Sequence, residues 1–381
     1  MTGAALLLLS VAGAGLAVLG VEGRALRRRL SGTAPVPRGS AGISVLKPLR
    51  GVDDDLEANL ASFAAQEWPC EVLLGLHDDA DPAAPLARAA AARWPERFRV
   101  VLQGPGLGMN PKVSQLASLV AAARHEILVI SDSNVRVGPG YLSEIAARLE
   151  DPEVGLVTHL IAGVGERSEG ALLENLHLAG GVAPGIAAAK AIAGRDVVMG
   201  KSMALRARDL AAMGGLDPVK DLLAEDYVIG QMVPRRLGKR VELASQPVQN
   251  VVQDRTVAQF FHRARRWAVL QHALVGPWLY SAQVIHNPVL FATLALAVAP
   301  APWTIATWLA VAGLRALLDG TAGSSLRTGG FRPGQLLRVP VKDLLLGVAW
   351  MEGFFRRTVN WRGTRLRVLP GTRLAPPGAS R

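Results

Sequence analysis

Short apolar runs alternate with segments of helical spacing through the first third of the chain. Apolar runs at residues 43–46, 72–76, 98–102 and 127–130 predict four strands. Segments 56–65, 85–94 and 112–124 carry apolar positions at helical spacing and predict the connecting helices. Strands that alternate with helices of about ten residues are typical of an α/β fold with a mostly parallel sheet.

Two of these strands end in acidic residues. The fourth strand is apolar throughout, which indicates burial on both faces, and it is followed by Asp132, Ser133 and Asn134; Asp78 follows the second strand. Ligands bind at the carboxyl ends of strands in open α/β sheets, so both acids are expected in one crevice. The Asp132 carboxylate and the Asn134 amide oxygen suit a hard divalent cation and the diphosphate that it carries. The alternative is that Asp132 only caps a turn.

The pattern is less regular between residues 151 and 249. Residues 154–158 predict another strand, 172–192 a loose helix or loop, and 197–206 a strand and turn. Residues 221–232 predict a helix with Glu225 and Asp226 in its first turns. A carboxylate there gains from the helix dipole, so a capping role is the alternative to a chemical one.

The first apolar run, residues 4–21, has roughly the length of a membrane span. Basic residues follow it at once, and the positive-inside rule then places its carboxyl end in the cytoplasm. A cleaved signal peptide would carry its basic residues on the other side of the run, so we expect an uncleaved anchor. The four basic residues are Arg24, Arg27, Arg28 and Arg29.

Further apolar runs lie near the carboxyl end. Residues 289–299 and 303–318 are split by a proline-rich corner and predict a short helical hairpin in the bilayer, or a re-entrant pair, because each run is short for a full span. Residues 337–355 are apolar but contain four charged residues, which are costly at bilayer depth. We therefore expect that segment at the cytoplasmic interface. The four are Arg338, Lys342, Asp343 and Glu352.

Residues 259–273 form an amphipathic, basic segment in which Arg263 and Arg266 stand one helical turn apart. The segment is either a helix on the membrane surface whose arginines meet lipid phosphates, or a helix whose two arginines hold a leaving diphosphate.

Composition supports a folded domain joined to membrane segments. The chain of 381 residues is 50% hydrophobic and 19% charged, with mean hydropathy +0.25 and net charge +11. The arginines cluster beside apolar runs, which favours lipid head groups over nucleic acid as their partner. The single cysteine, Cys70, excludes an intrachain disulfide and a cysteine-based zinc cluster.

The acids and the basic helix occur in the order of a known family. The set resembles the membrane glycosyltransferases of the ceramide glucosyltransferase family (glycosyltransferase family 21, related to family 2), which carry three aspartates followed by Q/R-x-x-R-W. The matching residues here are Asp78, Asp132-Ser133-Asn134, Glu225-Asp226-Tyr227 and Arg263-Ala264-Arg265-Arg266-Trp267. Shorter stretches are also similar, at residues 46–48, 110–113 and 198–203.

The resemblance implies a GT-A-like nucleotide-sugar-binding domain and a role for each matched residue. Asp78 would contact the nucleotide, Asp132 would bind the diphosphate through Mg²⁺ or Mn²⁺, and Asp226 would be the general base. Arg263, Arg266 and Trp267 would hold diphosphate and acceptor. Lys112, which opens a helix after a Gly-rich loop, adds a phosphate contact or is an exposed helix start.

Two departures from the family bear on its substrates. Asn134 stands where many relatives have a second acid, so the predicted metal pair, Asp132 and Asn134, has fewer charged ligands. Residues 183–184 are Ala-Pro where animal members carry His-Pro, which affects the acceptor pocket.

The resulting hypothesis is an inverting, UDP-sugar-dependent transferase that moves glucose to ceramide at the membrane. Alternatives are N-acetylglucosamine transfer to a hopanoid polyol and a non-catalytic membrane nucleotide-sugar sensor. A processive polysaccharide synthase would need more spanning helices. We expect no nucleic-acid partner, a multi-pass membrane protein with a cytoplasmic catalytic domain, and, from the Ala/Arg/Gly-rich composition, a bacterial inner membrane.

The expected domains follow the same pattern. An anchor at residues 1–30 precedes a glycosyltransferase domain at 31–275, a membrane hairpin at 276–320, and an interfacial or membrane segment with a basic tail at 321–381.

Overall fold

The computed structural model describes residues 2–361 and 364–376 of the chain. These residues form two compact units, each built from separate stretches of sequence. The sheet unit comprises residues 32–161 and 194–251. The helical unit comprises the described residues of the rest, which are 2–31, 162–193, 252–361 and 364–376.

The strands, in chain order, are β1 Ile43–Pro48, β2 Cys70–Leu76, β3 Phe98–Leu102, β4 Ile127–Ile130, β5 Val135–Arg136, β6 Val154–Thr158, β7 Ile161–Val164, β8 Met203–Arg206, β9 Arg240–Leu243, β10 Val248–Val251, β11 Thr358–Trp361, β12 Thr364–Val368 and β13 Leu374–Ala375. The helices are α1 Thr2–Leu30, α2 Leu56–Ala64, α3 Ala84–Arg93, α4 Pro111–Ala122, α5 Tyr141–Leu149, α6 Glu169–His177, α7 Ala183–Ala193, α8 Ala207–Ala212, α9 Glu225–Met232, α10 Val257–Ala282, α11 Pro288–Val298, α12 Pro302–Leu326, α13 Pro333–Leu336 and α14 Val339–Phe355.

The sheet unit is built on a seven-stranded sheet of order β3-β2-β1-β4-β8-β6-β9. Strands β3, β2, β1 and β4 are parallel, and β9 is parallel to β6. Strand β8 runs antiparallel to both of its neighbours. The predicted α/β class with a mostly parallel sheet is therefore confirmed, as are the first four predicted strands.

One apolar core supports the end of β4, whose four residues are all buried, as the sequence predicted. Leu46 of β1 lies opposite Ile130 of β4 and Leu73 of β2. Helix α4 covers this face of the sheet, and burying each of its leucines contributes roughly 1.5–3 kcal/mol. The residues of α4 in this core are Val113, Leu116 and Leu119. The loop after β4 therefore begins from a rigid support.

Three helices of the helical unit are long and apolar enough to cross a membrane, by length and composition, among the described residues. They are Thr2–Leu30, Glu169–Ala193 and Pro302–Leu326, and the segments Val257–His286 and Pro288–Val298 pass the same test as a pair bent by 78°. Of the two alternatives predicted for residues 172–192, a loose helix or a loop, the helix is confirmed: a π-helical turn, Leu178–Val182, joins α6 to α7 without a break. The small residues of this segment favour close helix packing, and α7 contacts α1.

The expectation that residues 303–318 are too short for a span is wrong, because α12 continues to Leu326. Its acidic residue, Asp319, is fully buried and pairs with Arg315 of α12 and Lys342 of α14. Arg315 in turn donates to Asp343 (Nε–Oδ2 3.0 Å). Mutual pairing offsets part of the desolvation cost of these buried charges, and the position of α14 at the cytoplasmic interface stays a prediction.

Helix α10 is interrupted where Gly276, with φ +76°, precedes Pro277. Proline removes a helical hydrogen bond and glycine adopts the positive φ, so the chain bends there. The predicted basic helix at 259–273 is thus the first part of α10, which packs against α6 and α14.

Candidate active site

The two strand-terminal acids lie at the same edge of the sheet. Asp78 follows β2 and is exposed, and its carboxylate accepts the Ala80 N–H (2.9 Å). Asp132 follows β4. Strand β1 separates β2 from β4, and two strand spacings place the strand ends about 10 Å apart. A nucleotide is long enough to reach across this interval.

Asp132 is held between two ammonium groups. Its Oδ1 lies 3.0 Å from Lys112 Nζ and its Oδ2 lies 3.0 Å from Lys201 Nζ. Burial raises the pKa of Asp132, but the charges and hydrogen bonds of Lys112 and Lys201 outweigh it and hold that pKa well below its usual range. The carboxylate is therefore ionised at every physiological pH.

Lys112 joins Asp132 to the start of α9. Besides Asp132, its ammonium contacts Glu225 (Nζ–Oε1 3.0 Å). Burial lowers the pKa of Lys112, but Asp132, Glu225 and Asp226 raise it above its ordinary value. The side chain is only 17% exposed, so the alternative of a solvent-exposed helix start is wrong.

Asn110 explains why Lys112 is held so firmly. Its Oδ1 caps α4 by accepting the N–H groups of Lys112 (2.9 Å) and Val113 (3.2 Å). Its Nδ2 donates to the Leu222 carbonyl (2.7 Å) and to Glu225 (3.3 Å). One buried side chain thus ties the start of α4 to the segment before α9.

Asp226 lies in the first turn of α9, as predicted. Its Oδ2 accepts the Gly200 N–H (2.5 Å), and its Oδ1 accepts the N–H of Tyr227 (2.7 Å). The second hydrogen bond satisfies a backbone N–H in the first turn of α9. The neighbouring Glu225 is buried, and burial together with the charge of Asp226 raises its pKa against the opposing effect of Lys112. The structure brings Asp132 and Asp226 together around Lys112.

The predicted metal pair is bridged by a lysine. Asn134 Oδ1 accepts a hydrogen bond from Lys201 Nζ (2.7 Å), and Asn134 Nδ2 donates to Asn250 Oδ1 (3.0 Å). The same ammonium contacts Asp132. Among residues 2–361 and 364–376, no group of three His, Cys, Asp or Glu residues could hold a metal ion. Asp132 and Asn134 do not form a ready-made metal site in this arrangement.

Sequence reasoning did not identify Lys201 as a site residue. The available signal was its place in the stretch 198–203, one of the stretches similar to the ceramide glucosyltransferase family. That signal identifies a segment but not the partner of its lysine.

The arginine–tryptophan motif lies on α10, in the helical unit. Arg263 pairs with Glu174 of α6, and its guanidinium lies 5.1 Å from the centroid of the Trp267 ring. Glu174 also pairs with Arg255. Arg266 follows Arg263 by one helical turn on the same helix. The binding of a diphosphate by these residues stays a prediction.

Comparisons with known proteins agree with the motif set. The family model described as "Glycosyl transferase family 21" matches residues 6–374. Ceramide glucosyltransferase 1 of Caenorhabditis elegans is 27% identical over 237 residues, which cover 61% of this chain and 50% of that protein. Ceramide glucosyltransferase of Komagataella phaffii is 34% identical over 117 residues, covering 29% and 23% of the two chains. The chain thus aligns with half or less of the length of these relatives.

Among solved structures, the mannosyltransferase PcManGT from Pyrobaculum calidifontis, in complex with GDP-Man and Mn²⁺, has a TM-score of 0.49 and 19% identity. The alignment covers 91% of this chain and 99% of that one. The family model extends over nearly the whole sequence, and on that basis the protein belongs to glycosyltransferase family 21.

Proposed function

We propose that this protein transfers glucose from UDP-glucose to the primary hydroxyl of ceramide, with inversion at the anomeric carbon. Family membership supports a glycosyltransferase, and the names of the relatives favour ceramide over a hopanoid polyol as the acceptor. The single observation that carries the proposal is the link through Lys112 between Asp132, at the end of β4, and the carboxylates that open α9.

The chemistry requires charge neutralisation of the leaving group and a base for the acceptor. Lys112 and Lys201 supply positive charge beside Asp132, where the diphosphate would lie. Asp226 would take the proton of the acceptor hydroxyl while the oxygen of that hydroxyl bonds to the anomeric carbon. The bond from that carbon to the diphosphate breaks in the same displacement, and UDP leaves with the electron pair. One displacement with one base gives inversion.

A divalent cation, Mg²⁺ or Mn²⁺, is proposed to enter together with the donor. Magnesium is commonly bound through one or two carboxylates and the phosphates of a substrate, so Asp132 and the diphosphate form a suitable donor set. Bound there, the cation would neutralise charge on the leaving diphosphate. Asp78 is proposed to contact the nucleotide, and Arg263, Arg266 and Trp267 to hold the diphosphate and acceptor.

The location of the reaction is part of the proposal. The sheet unit would face the cytoplasm, with the apolar helices presenting the lipid acceptor from the membrane, in a bacterial inner membrane. The sequence domains proposed for this arrangement are residues 1–30, 31–275, 276–320 and 321–381.

The test is a transfer assay with the detergent-purified protein, radiolabelled UDP-glucose and ceramide, with Mg²⁺ or Mn²⁺. We expect a labelled glycolipid that co-migrates with glucosylceramide and is absent with the Asp226→Asn variant. Parallel reactions contain UDP-N-acetylglucosamine and a hopanoid polyol. Product only in those reactions would reject the ceramide assignment, and UDP binding without any transfer would favour the sensor.

A further inference from the structure

Lys201 occupies the place between the two side chains that were predicted to bind a metal. Its Nζ lies 3.0 Å from Asp132 Oδ2 and 2.7 Å from Asn134 Oδ1. A divalent cation held by these two residues would need the same two oxygens. The ammonium group is therefore a cation supplied by the chain at the predicted metal position.

The turn that carries Lys201 is anchored on both sides. Gly200 donates its N–H to Asp226, and a side chain at this glycine would meet the Lys112 ammonium at 2.6 Å. The Ser202 hydroxyl forms hydrogen bonds with the Tyr141 hydroxyl (2.7 Å) and with His159 Nδ1 (2.8 Å). The side chains of Ser202, Tyr141 and His159 are almost completely buried. The backbone at position 201 is thus held in place, and Lys201 reaches Asp132 and Asn134 through a long side chain with several rotatable bonds.

We propose that Lys201 is a resident cation that excludes a divalent metal from Asp132 and Asn134 until the diphosphate of the donor arrives. The ammonium then moves from Asp132 to the phosphate oxygens, and Asp132 becomes a metal ligand. This inference rests on the proposed function, because it takes a nucleoside diphosphate as the ligand.

The physical basis is electrostatic. Both oxygens of Asp132 are already paired with ammonium groups, so a metal ion that arrives without phosphates must displace one of these paired cations. A diphosphate brings several negative charges, which accommodate both the metal and the displaced lysine. Metal binding should therefore depend on the nucleotide.

The experiment measures binding of Mn²⁺ to the full-length protein in detergent, from loss of the free-ion EPR signal, with and without UDP. We expect the wild type to bind Mn²⁺ weakly without UDP and at least about tenfold more tightly with it. Lys201→Met should tighten binding without UDP by about tenfold, while Lys201→Arg should behave like the wild type. Asp132→Asn should abolish the UDP-dependent binding.

Lys239→Met is the matched control, because Lys239 also pairs with a buried aspartate, Asp209, at 2.6 Å. It should leave Mn²⁺ binding unchanged. Equal Mn²⁺ affinity of the wild type and Lys201→Met without UDP would overturn the proposal, as would UDP-dependent binding that survives Asp132→Asn. The readout is independent of turnover, so an inactive protein that shows the predicted binding pattern would reject the proposed function and leave this inference standing.

Discussion

At the scale of single residues, the candidate site is a set of lysines and acids whose charges depend on one another. Lys112 contacts Asp132 and Glu225, and Lys201 contacts Asp132 and Asn134. The two ammonium groups together keep the Asp132 carboxylate ionised although water is largely excluded. Changing one member therefore alters the charges of the others.

Asp226→Asn should lower kcat by about 10²–10⁴-fold, because an amide cannot accept the proton of the acceptor hydroxyl. The shape of the side chain is kept, and its one remaining oxygen can still accept one of the two backbone N–H groups that Asp226 accepts, so UDP affinity should change by less than about twofold. Transfer assays and calorimetric titration with UDP measure the two quantities. Asp217→Asn, at an exposed carboxylate that pairs with Lys220, is the control. Undiminished turnover would remove the base assignment.

The buried Lys47 should make the free energy of unfolding depend on pH. It is fully buried, contacts the Phe63 ring, and donates to the Asp132 carbonyl (2.9 Å). Burial, with the Lys201 charge, lowers its pKa to about 7 against the opposing carboxylates of Asp132 and Asp53. Between that value and the unfolded pKa near 10.5, the unfolded chain binds more protons, so this lysine's contribution to stability rises with pH.

Comparison with Lys47→Met isolates this contribution. From pH 7 to pH 9, the unfolding free energy of the wild type relative to the variant should rise by up to about 1.4 kcal/mol per pH unit. Denaturant unfolding followed by tryptophan fluorescence gives the difference at each pH. A difference that stays constant with pH would contradict a lowered pKa.

At the scale of elements, two helices owe their positions to polar side chains. The start of α4 is set by the Asn110 cap, which also bonds to the segment before α9. Helix α12 is joined to α14 by the ion pair between Asp319 and Lys342. In both cases a buried polar group joins elements that are distant in sequence.

Asn110→Ala should lower the unfolding free energy by at least about 1 kcal/mol, because α4 loses its cap. The Leu222 carbonyl also loses a donor, which adds to the cost. Activity should fall as well, since Lys112 is no longer held beside Glu225. Asn110→Ser, which keeps a cap but is shorter, should recover part of the stability and little of the activity. Chemical denaturation and the transfer assay follow the two effects; equal recovery of both would argue against a positioning role.

Lys342→Met should destabilise the helical unit by about 3–5 kcal/mol, because it leaves excess negative charge buried beside Arg315. The double variant Lys342→Met/Asp319→Asn restores charge balance, with Arg315 paired to Asp343. It should therefore be more stable than the single variant, as measured by thermal unfolding in detergent. A double variant less stable than Lys342→Met would show that the balance of buried charge does not determine the stability of the helical unit.

At the scale of the whole molecule, long apolar helices and a charged sheet unit occur in one chain. Helix α1 ends in Arg27, Arg28 and Arg29, and basic residues at the end of a span favour the cytoplasmic side. The sheet unit, which begins shortly after these arginines, should share their side of the membrane.

Protease treatment of membrane vesicles tests this orientation. We expect the sheet unit to be digested in inside-out vesicles and protected in right-side-out vesicles. A variant with residues 27–29 changed to glutamate should reduce that asymmetry, because the arginines that favour the cytoplasmic side are removed. Protection in inside-out vesicles would contradict a cytoplasmic site.

The sequence by itself was sufficient for the features that depend on local periodicity. Runs of apolar residues predicted the first four strands, and chain order predicted that Asp78 and Asp132 follow parallel strands. Hydropathy identified α1, and the position of Asp226 in the first turn of α9 was also predicted. Each of these inferences concerns neighbours along the chain, where spacing alone carries the information.

Only the tertiary structure decided which charges meet. Lys201 lies 69 positions from Asp132 and Lys342 lies 23 from Asp319, yet both pairs are in contact. The energy of an ion pair depends on its distance through space and on the exclusion of water, and neither can be read from the sequence. For that reason the sequence placed a metal between Asp132 and Asn134, where the folded chain places the ammonium of Lys201.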